Sequence, residues 1–181
     1  FVLMVFAKVS NIVLAWMQDI VSSLELPWLI AAVMTVGLIM FMLPPVPGPP
    51  IYIFGGLVIP AHPSMTFLSG TALMLGLGFI LKMLACSLQY SIGYWLSGYT
   101  WVTRIVGVNK PVAKAMQMIL ERPGWGAGKC AVLCGGPDWP TSVGCGVFRL
   151  SLFQCLLGTT PIVPFILACV CTGSFQLKAK E

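Results

Sequence analysis

Asp138 is the only acidic side chain within the two Pro/Gly-broken apolar stretches of this sequence. An ionisable group in such a place must be paired, hydrated or neutral, and Lys129 and Arg149 are the nearby candidates for pairing. The breaks themselves read Pro44-Pro45-Val46-Pro47-Gly48-Pro49-Pro50 with Gly55-Gly56, and Gly135-Gly136-Pro137-Asp138-Trp139-Pro140 with Gly144. A helix broken at mid-depth in a bilayer exposes backbone N–H and C=O groups that must face protein or a wetted cavity. Donors at a half-helix end can hold a phosphate. The candidate substrate-binding set is therefore Pro44, Pro47, Gly48, Gly55 and Gly56 in the first break, with Pro137, Asp138, Pro140, Gly144 and Arg149 in and after the second. The competing reading keeps the same residues as helix breakers packed between helices.

Other reactive side chains offer less. Lys82 interrupts a long apolar run, where a snorkelling position near a surface is the expected role. His62 stands between Pro60 and Pro63 and reads as a loop residue without a carboxylate to make it a general base. Ser64, Thr66, Ser142 and Thr159 form no nucleophile elbow, and no GxxxxGK[ST] phosphate loop is present. The seven cysteines make no CxxC pair and sit in apolar or Gly-rich sequence, as small buried hydrophobes do. Neither an enzyme, a metal centre nor a cofactor site is expected.

The elements that must carry these residues follow from composition. The chain is 58% hydrophobic and 8% charged, whereas soluble domains carry about 25% charged residues. An all-α integral membrane protein is the expected class. The net charge of +5 is scattered between apolar segments, which argues against nucleic acid and for anionic lipid headgroups or a cytoplasmic face. Phe1 is not an initiator residue, so the sequence reads as a segment of a longer or processed chain.

Residues 1–25 read as a membrane or interfacial helix, and residues 26–43 as an uncharged span with Pro27 in its first turn. Ile51 to Ile59 is apolar but too short to cross, which suggests a re-entrant segment. Residues 64–99 exceed one crossing, and Gly76 and Gly78 mark the expected division; Gly93, Gly98, Ser87 and Ser91 would permit close helix contacts. Tyr90, Tyr94, Trp95, Tyr99 and Trp101 give the outgoing helix an aromatic end at a headgroup layer. Residues 101–129 form a basic interfacial connection, with a weakly amphipathic helix from Pro111 ended by Pro123-Gly124-Trp125-Gly126, on the cytoplasmic side. Residues 130–148 make the second broken unit, and residues 150–171 a further span bent at Pro161 and Pro164. Residues 173–181 are a polar tail.

The order of these breaks resembles the DedA/VTT superfamily, the SNARE-associated Golgi protein group. The likeness rests on residues 44–50 with Gly55-Gly56, on Leu133-Cys134-Gly135-Gly136-Pro137-Asp138-Trp139-Pro140, and on Phe148-Arg149-Leu150-Ser151-Leu152-Phe153 with Leu156-Leu157-Gly158-Thr159-Thr160-Pro161. It covers residues 26–172. The resemblance implies two re-entrant hairpins meeting in the membrane in a pseudo-inverted repeat, and an activity of lipid scrambling or lipid-carrier translocation. Two departures stand out. Members commonly place an arginine where Cys134 stands, and some carry an acidic residue in the first hairpin, where residues 44–56 have none. Passive lipid movement survives both losses better than an ion relay does.

The expected function is thus passive translocation of membrane phospholipids. A proton-coupled transporter of a small or lipid-linked anion is the alternative, and a scaffold for other membrane proteins the third reading. A eukaryotic endomembrane is the expected location, with plastid and bacterial inner membranes as alternatives, and the oligomeric state is left open.

Overall fold

The computed structural model describes residues 24–43, 48–101, 104, 111–136 and 138–179, apart from the side chains of residues 112, 113 and 138. The expected helix over residues 1–25 therefore lies, but for its last two residues, outside the described residues. Every regular element among the described residues is helical: α1 (Leu26–Met42), α2 (Gly48–Val58), α3 (Phe67–Leu96), α4 (Pro111–Glu121), α5 (Ala127–Gly135), α6 (Asp138–Val147), α7 (Leu152–Thr159), a 3-10 turn (Thr160–Ile162) and α8 (Val163–Lys178).

Two of these stretches, Phe67–Leu96 and Leu152–Lys178, are long and apolar enough to cross a membrane. At 17 residues, α1 is about 25 Å long, short of a hydrocarbon layer of about 30 Å. The eleven residues of α2, nine of α5 and ten of α6 reach only about 14–17 Å each.

Helix α3 corrects one expectation. It runs unbroken for 30 residues through Gly76 and Gly78, where the sequence pattern suggested a division. Glycine weakens a helix by about 1 kcal/mol relative to alanine but keeps its N–H donor, so the hydrogen-bond ladder continues. Proline has no such donor, and at Pro161 the helix does tighten into the 3-10 turn. The Leu157 carbonyl, which Pro161 cannot serve, receives Thr160 N–H, Thr160 Oγ1 at 2.7 Å and Trp125 Nε1 at 3.0 Å. Pro164 falls in the first turn of α8, where a missing donor costs nothing.

The chain divides into two compact units, one of Phe1–Val36, Pro49–Gly78 and Ile166–Glu181, the other of Gly37–Gly48 and Phe79–Phe165. In the first, α2 and α8 approach at backbone contact. A methyl group on Gly56 would strike the Val170 backbone, and one on Gly173 would strike Ile53 and Leu57. Fully buried Ser174 lies in this crossing, donating Oγ–H to Gly56 O at 2.9 Å and receiving Thr71 Oγ1–H at 3.0 Å. The turn before α3 is held by His62, whose Nδ1 accepts Ser64 N–H at 3.2 Å, leaving Nε2 to donate to Leu24 O at 3.1 Å.

In the second unit α6 lies against the later part of α3 by the same device. A methyl on Gly146 would strike the backbone at Tyr90 and Tyr94, and one on Gly93 would strike Val143. Of the small residues expected to mediate close contacts, Gly93 does so, while Ser87 and Ser91 donate to their own helix at Met83 O and Ser87 O. The core here joins Leu120, Leu133, Cys145, Leu150 and Cys155 from α4 to α7. Pro47, Pro50 and Gly56 recur at the same intervals as Pro137, Pro140 and Gly146. In each unit the last member of the triplet is the glycine at the backbone crossing.

Candidate functional site

Polar side chains collect in the interior of the second unit. Lys129 on α5 is 2% exposed. Its Nζ donates to Arg122 O in the turn after α4 and to Gln154 Oε1 on α7 at 3.0 Å. Gly124 N–H fills the other side of the same amide oxygen at 3.0 Å. Gly158 makes the arrangement sterically possible, since a Cβ there would press on Lys129 Cγ and Cδ and on Leu133. The sequence pattern placed Lys129 at the end of the basic interfacial connection and offered it as a partner for Asp138; the structure buries its ammonium among carbonyl and amide acceptors. A cation taken out of water must be met by oxygen acceptors, and the Arg122 carbonyl and Gln154 amide meet this one.

Lys82 is the second correction. Instead of snorkelling to a surface it is 1% exposed, with Nζ 5.7 Å from the centroid of Phe41. Gln89, two turns further along α3, donates Nε2–H to Phe41 O at 2.8 Å. That carbonyl is among the last four of α1, which lack partners within their own helix. Gln89 Oε1 is buried and has no hydrogen-bond partner among the described residues. Lys82 and Gln89 thus place a cation and a spare acceptor beside the end of α1, just before the first Pro/Gly break. Sequence reasoning singled out Lys82 but not Gln89; the shared face of residues 82 and 89 on one helix was the available signal.

The expected site residues are placed as follows. Pro44, Pro47 and Pro137 lie outside the described residues. Gly55 and Gly56 belong to the first unit and are packing residues, against Met74 and Val170. Gly48, Asp138, Pro140, Gly144 and Arg149 belong to the second. Gly48 is buried at the start of α2. Asp138 opens α6, and its side chain, with the expected pairing to Lys129 or Arg149, is outside what is described. Pro140 is exposed. Gly144 has open space, a Cβ there meeting only Phe148 at 3.9 Å.

Cys134 stands where the resemblance leads one to look for arginine, and its Sγ lies 3.6 Å from Gly158 O and 3.7 Å from Thr159 O. A thiol there ties α5 to the end of α7, but it brings no charge for a phosphate. Cys86, Cys145 and Cys155 line one recess together with Tyr90, Ser142 and Thr159. All seven cysteines are free thiols. Among the described residues no group of three or more His, Cys, Asp or Glu is arranged to hold a metal ion.

No family model matches the chain, and neither a curated protein nor a solved structure does so.

Proposed function

We propose that this chain is an integral membrane protein of the DedA/VTT type that lets phospholipids pass passively between the two leaflets of a bilayer. The observation that carries the reading is an inverted polarity. Lys82 and Lys129 are almost wholly buried, while Leu68 and Phe153 are 77% and 69% exposed. In water that ordering wastes the hydration of two cations and leaves large apolar side chains wet. In a bilayer it is the favourable one, with apolar atoms against lipid tails and polar groups turned inward.

In this reading Phe67–Leu96 and Leu152–Lys178 cross the membrane, and α1 crosses where the bilayer thins or its flanking residues snorkel to meet a short hydrophobic stretch. Helices α2, α5 and α6 are too short to cross, so α2 alone and α5 with α6 turn back inside the hydrocarbon layer as re-entrant units. Their terminal N–H and C=O groups then need protein or water as partners. Lys82, Gln89, Lys129 and Gln154 supply a polar interior that lowers the barrier to a headgroup, whose tails stay in lipid. The recurring Pro47-Pro50-Gly56 and Pro137-Pro140-Gly146 spacing supports descent from a repeated unit. Passive movement needs hydration and a few polar contacts, and requires neither Cys134 to be charged nor a carboxylate in the first hairpin.

The test is headgroup-labelled phospholipid in vesicles reconstituted with the full chain, with bleaching of the outer leaflet by a membrane-impermeant reductant. Protein-containing vesicles are expected to lose nearly all label where empty ones lose about half, with or without a pH gradient. Loss confined to half the label at matched protein insertion would overturn the proposal.

A further inference from the structure

Arg149 is the only non-glycine residue with positive φ among the described residues, at φ 54°. It stands just after α6, where Leu150 N–H donates to Cys145 O at 3.1 Å and Arg149 N–H to Gly146 O at 2.9 Å. These two bonds form the helix-ending motif whose left-handed position is ordinarily glycine, because a Cβ there crowds the following carbonyl. An arginine at this position carries backbone strain that a glycine would relieve.

Its side chain is nonetheless held in one orientation. Nε donates to Ser97 Oγ at 3.0 Å, and Ser97 Oγ–H donates to Tyr94 O at 2.7 Å. The guanidinium carbon lies 5.4 Å from the Tyr94 ring centroid. Exposed Arg149 thus has its Nε and one face engaged, and among the described residues nothing meets its paired Nη edge, which can take an outside acceptor. The planar fork of a guanidinium matches two oxygens of a phosphate. Tyr94 itself is exposed, as are Trp95 and Tyr99 at the same end of α3, and Trp95 and Tyr99 meet edge to face at 5.4 Å. Indole and phenol side chains of this kind settle at the headgroup level of a bilayer.

We propose that Arg149, oriented by Ser97 and Tyr94, docks the phosphate diester of a phospholipid headgroup at the aromatic end of α3. The site rests on the bilayer reading given above and adds to it a named entry point outside the buried polar interior. The occupant is a lipid because the guanidinium lies over the exposed Tyr94 ring, at the helix end that also exposes Trp95 and Tyr99, and side chains of this kind favour the headgroup layer, a setting a free phosphate ion does not need.

The experiment uses the full chain in detergent micelles, titrated with phosphatidylglycerol, with bound lipid counted by native mass spectrometry. Diacylglycerol of the same chains serves as the phosphate-free comparison. Arg149→Gln and Arg149→Gly are expected to need about fivefold more phosphatidylglycerol than the parent, the effect of one surface cation on an anionic lipid. Diacylglycerol retention should be the same in all three. Arg149→Gly should unfold at a higher temperature than Arg149→Gln, since both lose the guanidinium and only glycine relieves the left-handed backbone. Equal phosphatidylglycerol retention by the parent and Arg149→Gly would overturn the site, as would displacement of the lipid by equimolar inorganic phosphate. Flux is measured separately. Arg149-dependent retention in a protein that moves no lipid removes the transport reading and leaves the docking site standing.

Discussion

Lys129 Nζ and Gln154 Oε1 meet at 3.0 Å inside the second unit, and Gly124 N–H reaches the same oxygen from the turn after α4. One amide oxygen thereby joins α5, α7 and the α4–α5 turn. Gln154→Leu should strip one of two acceptors from a buried ammonium, leaving Arg122 O, and cost about 2–3 kcal/mol. Lys129→Met should cost less, and the double variant should exceed Lys129→Met only by the loss of the Gly124 N–H acceptor, because the buried cation is then gone. Unfolding of the purified protein in one detergent, followed as a double-mutant cycle, reads the coupling. Simple additivity would show that the two side chains act independently.

The two glycine crossings give a contrast within one residue type. Gly56→Ala, Gly173→Ala, Gly93→Ala and Gly146→Ala each drive a methyl into backbone that cannot rotate away, and each is expected to cost about 1–3 kcal/mol or more. Gly76→Ala meets nothing within 4 Å and should stabilise α3 by up to about 1 kcal/mol. Thermal unfolding of all five variants in the same micelle checks the order.

Gln89 separates stability from function. Gln89→Leu gives up the bond to Phe41 O but also removes a buried acceptor that has no partner among the described residues, so its effect on stability should stay within about 1 kcal/mol. If the polar interior carries headgroups, lipid flux should nevertheless fall several-fold. Unchanged flux would remove Gln89 from the path.

Asp138 distinguishes passive from coupled movement. Asp138→Asn should retain measurable lipid flux, lowered at most by disturbance of local hydration. A proton-coupled carrier would instead lose all gradient-driven transport with this change. Vesicles with and without a pH gradient, at equal protein insertion, give the comparison.

Orientation can be read from Lys114, exposed on α4. Its position in the basic connection predicts labelling by a membrane-impermeant amine reagent from the cytoplasmic side. Labelling solely from the opposite side would reverse the topology.

The sequence by itself determined where helices stop for lack of a donor. Helix α1 ends at Met42 ahead of the Pro44–Pro50 run, α4 ends at Glu121 before Pro123, and the chain tightens into a 3-10 turn at Pro161. These are local effects of a missing N–H and a fixed φ, so the residue type announces them. Helical class and apolar character were legible for the same reason, since composition and hydrophobic run length are properties of neighbouring residues. Tertiary structure alone decided what Gly76 and Gly78 do, because a glycine ends a helix only if something else competes for its backbone, and here α3 continues through both. It also decided that Lys82 and Lys129 are interior. Their burial depends on Phe41, Arg122 and Gln154 arriving from other segments, and neither periodicity nor charge count records which distant carbonyl or ring a cation will meet. The left-handed Arg149 was hidden likewise: its backbone follows from the end of α6, and its side-chain orientation from Tyr94 and Ser97, about fifty residues earlier in the chain.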